Sequence, residues 1–127
     1  KDLTGAVLTG VNMSGFDLTG TILTGADLTD ANLAGVDLSG KDLTGTILTG
    51  VNLSGLDLTG TTLVGVDLSG KDIADAILTD ANLTNAILTG ADLTNAILTG
   101  AILTDANLEN AVLTNAILNC VGHSVCV

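Results

Sequence analysis

The sequence predicts an all-β solenoid, a chain that turns once in every five residues and stacks the resulting coils. Three observations predict it. Leucine recurs at positions 3, 8, 18, 23, 28 and onward to 118 in a register of five that never slips; of these 24 positions 22 are Leu, and the others are Met13 and Ile73. Gly, Asn or Asp stands two residues later in 23 of the 24 units. Neither regular element can use this period. Five residues advance a helix by about 140°, so the leucines would spiral around it. Five is odd, so along a straight strand successive leucines would face opposite sides.

Each position of the unit has a physical reason. With Leu as position i, the residue at i+2 makes the turn, because Gly accepts positive φ without steric cost and Asn and Asp tolerate it best among the rest. Leu at i and the residue at i−2, mostly Ala, line the interior, while i−1, i+1 and i+2 point outward. Position i−1 is Asp, Asn or Ile/Val in nearly every unit, and i+1 is mostly Thr, a good residue for a strand surface. Lys1, Lys41 and Lys71 fall in the inward i−2 slot. A buried, unpaired ammonium is very costly, so their stems are expected to lie under the corner with the charges reaching out to water.

Units such as "ANLTN" at 81–85 and "ADLTN" at 91–95 resemble the pentapeptide-repeat family, whose pattern is A(D/N)LXX, and the likeness runs from Lys1 to about Asn119. The resemblance implies a right-handed quadrilateral β-helix with four units per coil, hence about six coils. The residues alone leave four and three open. Residues 1–25 and 41–65 share 19 identities, a lag of eight units that suits four, whereas "VDLSGKD" recurs at 36 and 66, a lag of six units that suits three.

Four units per coil place residues 20 apart on one face. In chain order, the first face carries at i−1 Asp2, Ile22, Asp42, Thr62, Asn82 and Ile102; the second Val7, Asp27, Ile47, Asp67, Ile87 and Asn107; the third Asn12, Asn32, Asn52, Asp72, Asp92 and Val112; the fourth Asp17, Asp37, Asp57, Ile77, Ile97 and Ile117. The fourth face sorts three acids from three isoleucines. Ile77, Ile97 and Ile117, flanked by Ile102 and Val112, are either strand-surface residues stacked on their own kind or an exposed apolar contact site. Asp17, Asp37 and Asp57 form either a solvated face or a surface resembling phosphate. A flat row does not converge the six to eight oxygens that Ca²⁺ requires.

Composition narrows the partners. The net charge is −11, from 13 Asp and one Glu against three Lys and no Arg, which argues against direct nucleic-acid binding and against anionic membranes. Phe16 is the sole aromatic residue, so base stacking is excluded. No apolar run is long enough to span a membrane as a helix. The chain begins at Lys1 rather than Met, which points to something upstream removed either by processing or by design of the expressed chain and leaves the compartment illegible.

The pattern fails at "CVGHSVCV", so 1–119 is read as the solenoid and 120–127 as a tail or cap. Two Cys and one His fall short of a four-ligand zinc site, and no metal or cofactor is expected. Cys120 and Cys126 stand as two thiols by default; the other reading is a disulfide closing the tail over the last coil, which would point to an exporting compartment. The single His lies in the tail, and nothing brings an acid and a base together in a pocket. These readings converge on a non-enzymatic structural or protein-interaction module with a weak homodimer through its C-terminal coils. The resemblance implies an alternative, since some members of the family mimic DNA and bind type II topoisomerases such as gyrase. This chain lacks the loop insertions and C-terminal dimerisation segment of those longer rods. A minor alternative is ice binding by outward threonines such as Thr4, Thr24 and Thr44, although rows of this kind are broken by Val64 and Ala34.

Overall fold

The chain winds into a right-handed quadrilateral β-helix of six stacked coils. The computed structural model describes residues 1–126. Every position i+2 from Gly5 to Asn115 has a positive φ, including eight Asp and Asn residues between 56° and 61°. The amide of the residue that opens the next unit donates to the preceding Leu carbonyl, as Ala6 to Leu3 at 2.9 Å. This is the bond of a β-turn, and a positive φ at its third residue is what a type II turn demands.

Parallel pairing between residues 20 apart, such as Asn82 with Ile102, fixes four units per coil and settles the choice against three. Each pairing is a single-residue bridge, because the chain bends away before a longer strand can form. Two kinds of bond close it. The Leu amide donates to the next coil, as Leu83 to the Ile102 carbonyl at 2.8 Å, and the i−1 amide donates to the previous one, as Asn82 to the Thr61 carbonyl at 2.8 Å.

Fourteen of the 20 possible steps from Asp2–Ile22 to Ile97–Ile117 form bridges; the six that do not are Asp17–Asp37, Ile22–Asp42, Asn32–Asn52, Asp37–Asp57, Ile47–Asp67 and Asn52–Asp72. One variable separates the two sets. In each unbridged step the later coil carries Val36, Lys41, Val51, Leu56, Val66 or Lys71 at i−2, and in each bridged step it carries Ala or Thr there. A short side chain lets neighbouring backbones approach, and a bulky one props them apart. Thr is accommodated because its hydroxyl folds onto its own chain, as Thr46 Oγ1 donating to the Leu43 carbonyl at 2.7 Å and Thr61 Oγ1 to Leu58 at 2.8 Å. Since i−2 is Ala in every unit from Ala76 onward, the C-terminal half is fully laddered and all six gaps lie before it.

The core is one column of leucines, with Leu23 to Leu103 at most 2% exposed at every Leu or Ile73 position. Each such burial contributes about 1.5–3 kcal/mol. The inward expectation for i−2 fails in the first coil. Phe16 is 58% exposed and Val11 is 37% exposed; with the half-buried Leu3 and Leu8 they line one end of the described solenoid. Lys41 and Lys71 are half-buried and Lys1 is exposed.

At the other end Cys120 does not take the corner conformation. Its amide donates to the Leu118 carbonyl at 2.7 Å, the corner is cut by one residue, and Val121 pairs with Ile102 after 19 residues instead of 20. Cys120 is thereby turned inward, 8% exposed, and is bonded to Cys126 with an S–S distance of 2.07 Å. The default reading of two free thiols gives way to a bonded pair. Sequence spacing alone could not show that the two sulfurs meet.

Candidate functional site

Face-forming residues are positioned by the ladder, so the quality of the ladder sets how well each face is defined. Ile77, Ile97 and Ile117 are consecutive bridge partners. The Ile97 amide donates to Ala76 at 3.0 Å and the Ile117 amide to Ala96 at 2.9 Å. Ile77 is 36% exposed, Ile117 is 50% exposed and Ile97 between them is half-buried. Ile102 and Val112 lie on the two flanking faces and are also exposed. The structure therefore brings all five residues to the C-terminal half of the rod.

Exposure alone does not distinguish them. Val7, Ile22, Ile47 and Ile87 are exposed as well. Among the i−1 columns, however, only the fourth face puts three apolar β-branched residues on successive coils; within the repeat the other faces separate theirs by Asp, Asn or Thr. Val121, 55% exposed, extends the first-face column beyond Ile102. The sequence concealed it, because its register depends on the cut corner at Cys120.

The acidic half of the same face is built differently. The steps Asp17–Asp37 and Asp37–Asp57 are both unbridged, and these carboxylates line shallow grooves between neighbouring coils. Hydrogen bonds from the Thr19 hydroxyl and amide hold the Asp17 carboxyl below its ordinary value, with a smaller pull from Lys41 and Lys1. Asp37 is lowered by the Ser39 hydroxyl and amide and by Lys41, and the charge on Asp17 opposes this without prevailing. Asp17 and Asp37 thus favour the charged form despite their like-charge spacing.

The same local bond recurs wherever i−1 is Asp or Asn. Its Oδ1 accepts the amide two residues on, as in Asn52 with Ser54 at 2.8 Å or Asp92 with Thr94 at 2.9 Å. An Ile or Val at that place cannot supply it. Asp and Ile in one outward slot are therefore not equivalent: one caps a turn amide, and the other offers apolar surface.

Hydroxyl columns run unbroken on two faces, Thr9–Thr29–Thr49–Ser69–Thr89 and Thr19–Ser39–Thr59–Thr79–Thr99. The expectation of broken rows holds for the other two faces only. Within the second-face column Thr29 and Ser69 spend their hydroxyls on Asp27 and Asp67. The array is therefore chemically uneven. Among the described residues no three His, Cys, Asp or Glu side chains converge on a point, and no helix is long and apolar enough to cross a membrane.

The family model described as pentapeptide repeats matches residues 2–40, 42–71 and 74–120 in eight copies. Among solved structures, the chain is similar to HetL, a pentapeptide repeat protein involved in heterocyst differentiation regulation from the cyanobacterium Nostoc sp. strain PCC 7120, with 30% identity over 96% of this chain and 63% of HetL and a TM-score of 0.44. It thus spans less than two thirds of that protein. It is 32% identical to Rfr23, a pentapeptide repeat protein from the cyanobacterium Cyanothece 51142, over 96% of this chain and 91% of the other, with a TM-score of 0.38. QnrB1, a plasmid-mediated fluoroquinolone resistance protein, is 20% identical over 94% of this chain and 70% of its own, with a TM-score of 0.53, a likeness of fold alone. No curated protein matches the chain.

Proposed function

Since this chain belongs to the pentapeptide-repeat family, we propose that it works by presenting faces, as a non-enzymatic protein-interaction module whose contact surface is the C-terminal apolar row. The observation that carries this reading is the continuous bridge from Ile77 through Ile97 to Ile117. It sets three branched side chains in line on the part of the rod where every step is bridged. A rigid row loses little freedom on binding. Ile102 and Val112 widen the row onto both neighbouring faces.

Affinity capture from the native source with wild-type protein and Ile97→Asp tests this. A partner retained by the wild type and lost by a folded Ile97→Asp supports the reading; equal retention by both overturns it.

A second reading rests on the acidic column, in which Asp17 and Asp37 are exposed and held below the ordinary aspartate value and whose spacing follows the coil repeat. In this reading Asp17, Asp37 and Asp57 imitate a phosphate row and engage a basic partner such as a type II topoisomerase. Inhibition of gyrase supercoiling should then weaken with added salt and in the triple Asp→Asn variant. No inhibition at tens of micromolar protein would dispose of it.

A further inference from the structure

The tail joins the solenoid by very few bonds. The Leu103 amide donates to the Val121 carbonyl at 2.8 Å, and the Val121 amide donates to Ala101 at 2.9 Å. Beyond Val121, no backbone hydrogen bond among the described residues ties the tail to a coil. The bonds there are internal to the turn: Cys126 amide to the His123 carbonyl at 3.1 Å, and Val125 amide to His123 Nδ1 at 3.2 Å. Gly122, at φ +85°, lies so close against Thr104 that a Cβ would collide with its hydroxyl. Val125 and Cys126 pack on the edge of the core. What returns the chain to the solenoid is the bond from Cys126 to the inward-turned Cys120.

We infer that the Cys120–Cys126 disulfide is a redox latch on the C-terminal cap. Oxidised, it seats residues 121–126 on the last coil. Reduced, it releases them and uncovers the Leu103 amide and the Ala101 carbonyl. The entropy of ordering five residues past Val121 exceeds what the half-buried His123, Val125 and Cys126 return, so the cap frays once the bond is gone. The lone Val121 bridge then stands at a free end, where pairing is weakest.

The chemistry is a two-electron exchange with a dithiol reductant. A thiolate attacks the Cys126 sulfur, which is the more accessible of the two, and expels the Cys120 thiolate, which takes up a proton. The second thiol of the reductant resolves the mixed disulfide, leaving two protein thiols and one oxidised dithiol. No other covalent bond changes.

Amide hydrogen exchange followed by NMR, with and without dithiothreitol, tests the latch on the intact chain. Complete reduction, verified as two titratable thiols, should accelerate exchange at Leu103 and Val121 at least tenfold. Leu63 and Leu83 on the same face should be unchanged. Cys126→Ser should give the same pattern without reductant. Unaltered protection at Leu103 in the reduced protein or in Cys126→Ser overturns the inference. So does faster exchange along the whole rod, which makes the bond a global staple, or a bond that dithiothreitol cannot open in the folded state.

Discussion

Asn95 donates its Nδ2 to Asp75 Oδ1 one coil away at 3.0 Å, and Asn115 repeats the contact onto Asn95 at 3.3 Å. All three corners hold φ between 57° and 61°. Asn95 thus does two things, adopting the left-handed corner and tying it to its neighbours. Asn95→Gly removes only the ties. Asn95→Ala also forces an ordinary side chain into that corner, at an added cost of about 1–2 kcal/mol. Thermal unfolding should rank wild type above Gly and Gly above Ala. Ala equal to Gly would show that the corner is not strained.

Gly100 lies over Asp80, whose carboxylate occupies the space a Cβ would take, whereas the space beside Gly55 is open. Both corners have positive φ, so the backbone strain of an alanine is common to them and the steric conflict is not. Gly100→Ala should be the more destabilising of the two. Adding Asp80→Gly should recover part of the difference, a coupling readable in a double-mutant cycle.

The i−2 rule predicts that the ladder can be opened or closed by one side chain. Ala96→Leu should break the Ile77–Ile97 step and cost about 1–3 kcal/mol as an overpacked core substitution. Hydrogen exchange in the wild type should already be faster at Leu18, Asp37 and Asp57 than at Leu78 and Ile97, since the first group lies at unbridged steps. Uniform protection along the fourth face would refute the rule.

Asp2, Asp17, Asp27, Asp37, Asp42, Asp67 and Asp92 are all held below the ordinary aspartate value of 3.8, in each case first by the side chain two residues on and then by its amide. A depressed folded-state value means the unfolded chain takes up protons first as pH falls. The stability these bonds give is therefore complete above 3.8 and lost as pH descends through the folded values. Melting temperature should be level from neutral pH to about 5 and drop below about 4. Relief of the −11 self-repulsion acts in the opposite direction; a melting temperature that rises on acidification would show that it dominates. Asn at these sites keeps the oxygen acceptor without titrating, so Asp92→Asn should reduce the acid loss.

The apolar row also predicts self-association. On its own it falls short of the roughly 1,200 Å² of a stable specific interface, so a dimer through it should be weak and concentration-dependent. Asp17, Asp37 and Asp57 on the same face disfavour a parallel, in-register pairing, and a two-fold overlap of the C-terminal coils keeps them apart. Sedimentation over a range of concentrations should show the dimer, and Ile97→Asp should abolish it. A monomer throughout would reduce the isoleucines to strand surface.

By itself the sequence determined what depends on one unit of five. Gly5 or Asn85 at i+2 dictates the corner because positive φ is a property of the residue, and Leu83 at i dictates the interior because nothing else in its unit is apolar enough. The acid and apolar columns followed once a coil length was assumed from the family pattern. That length was decided by the tertiary structure, since the angle at each corner is set by how whole coils pack. So were the six unbridged steps, each of which has a residue such as Val36 or Lys71 at i−2 of the later coil. Phe16 occupies an inward slot yet is exposed, while Met13 and Leu18 of the same coil are buried, a difference that the repeat does not show. Cys120 meets Cys126 because the chain cuts one corner short, a choice made by the end of the stack and invisible in the repeat.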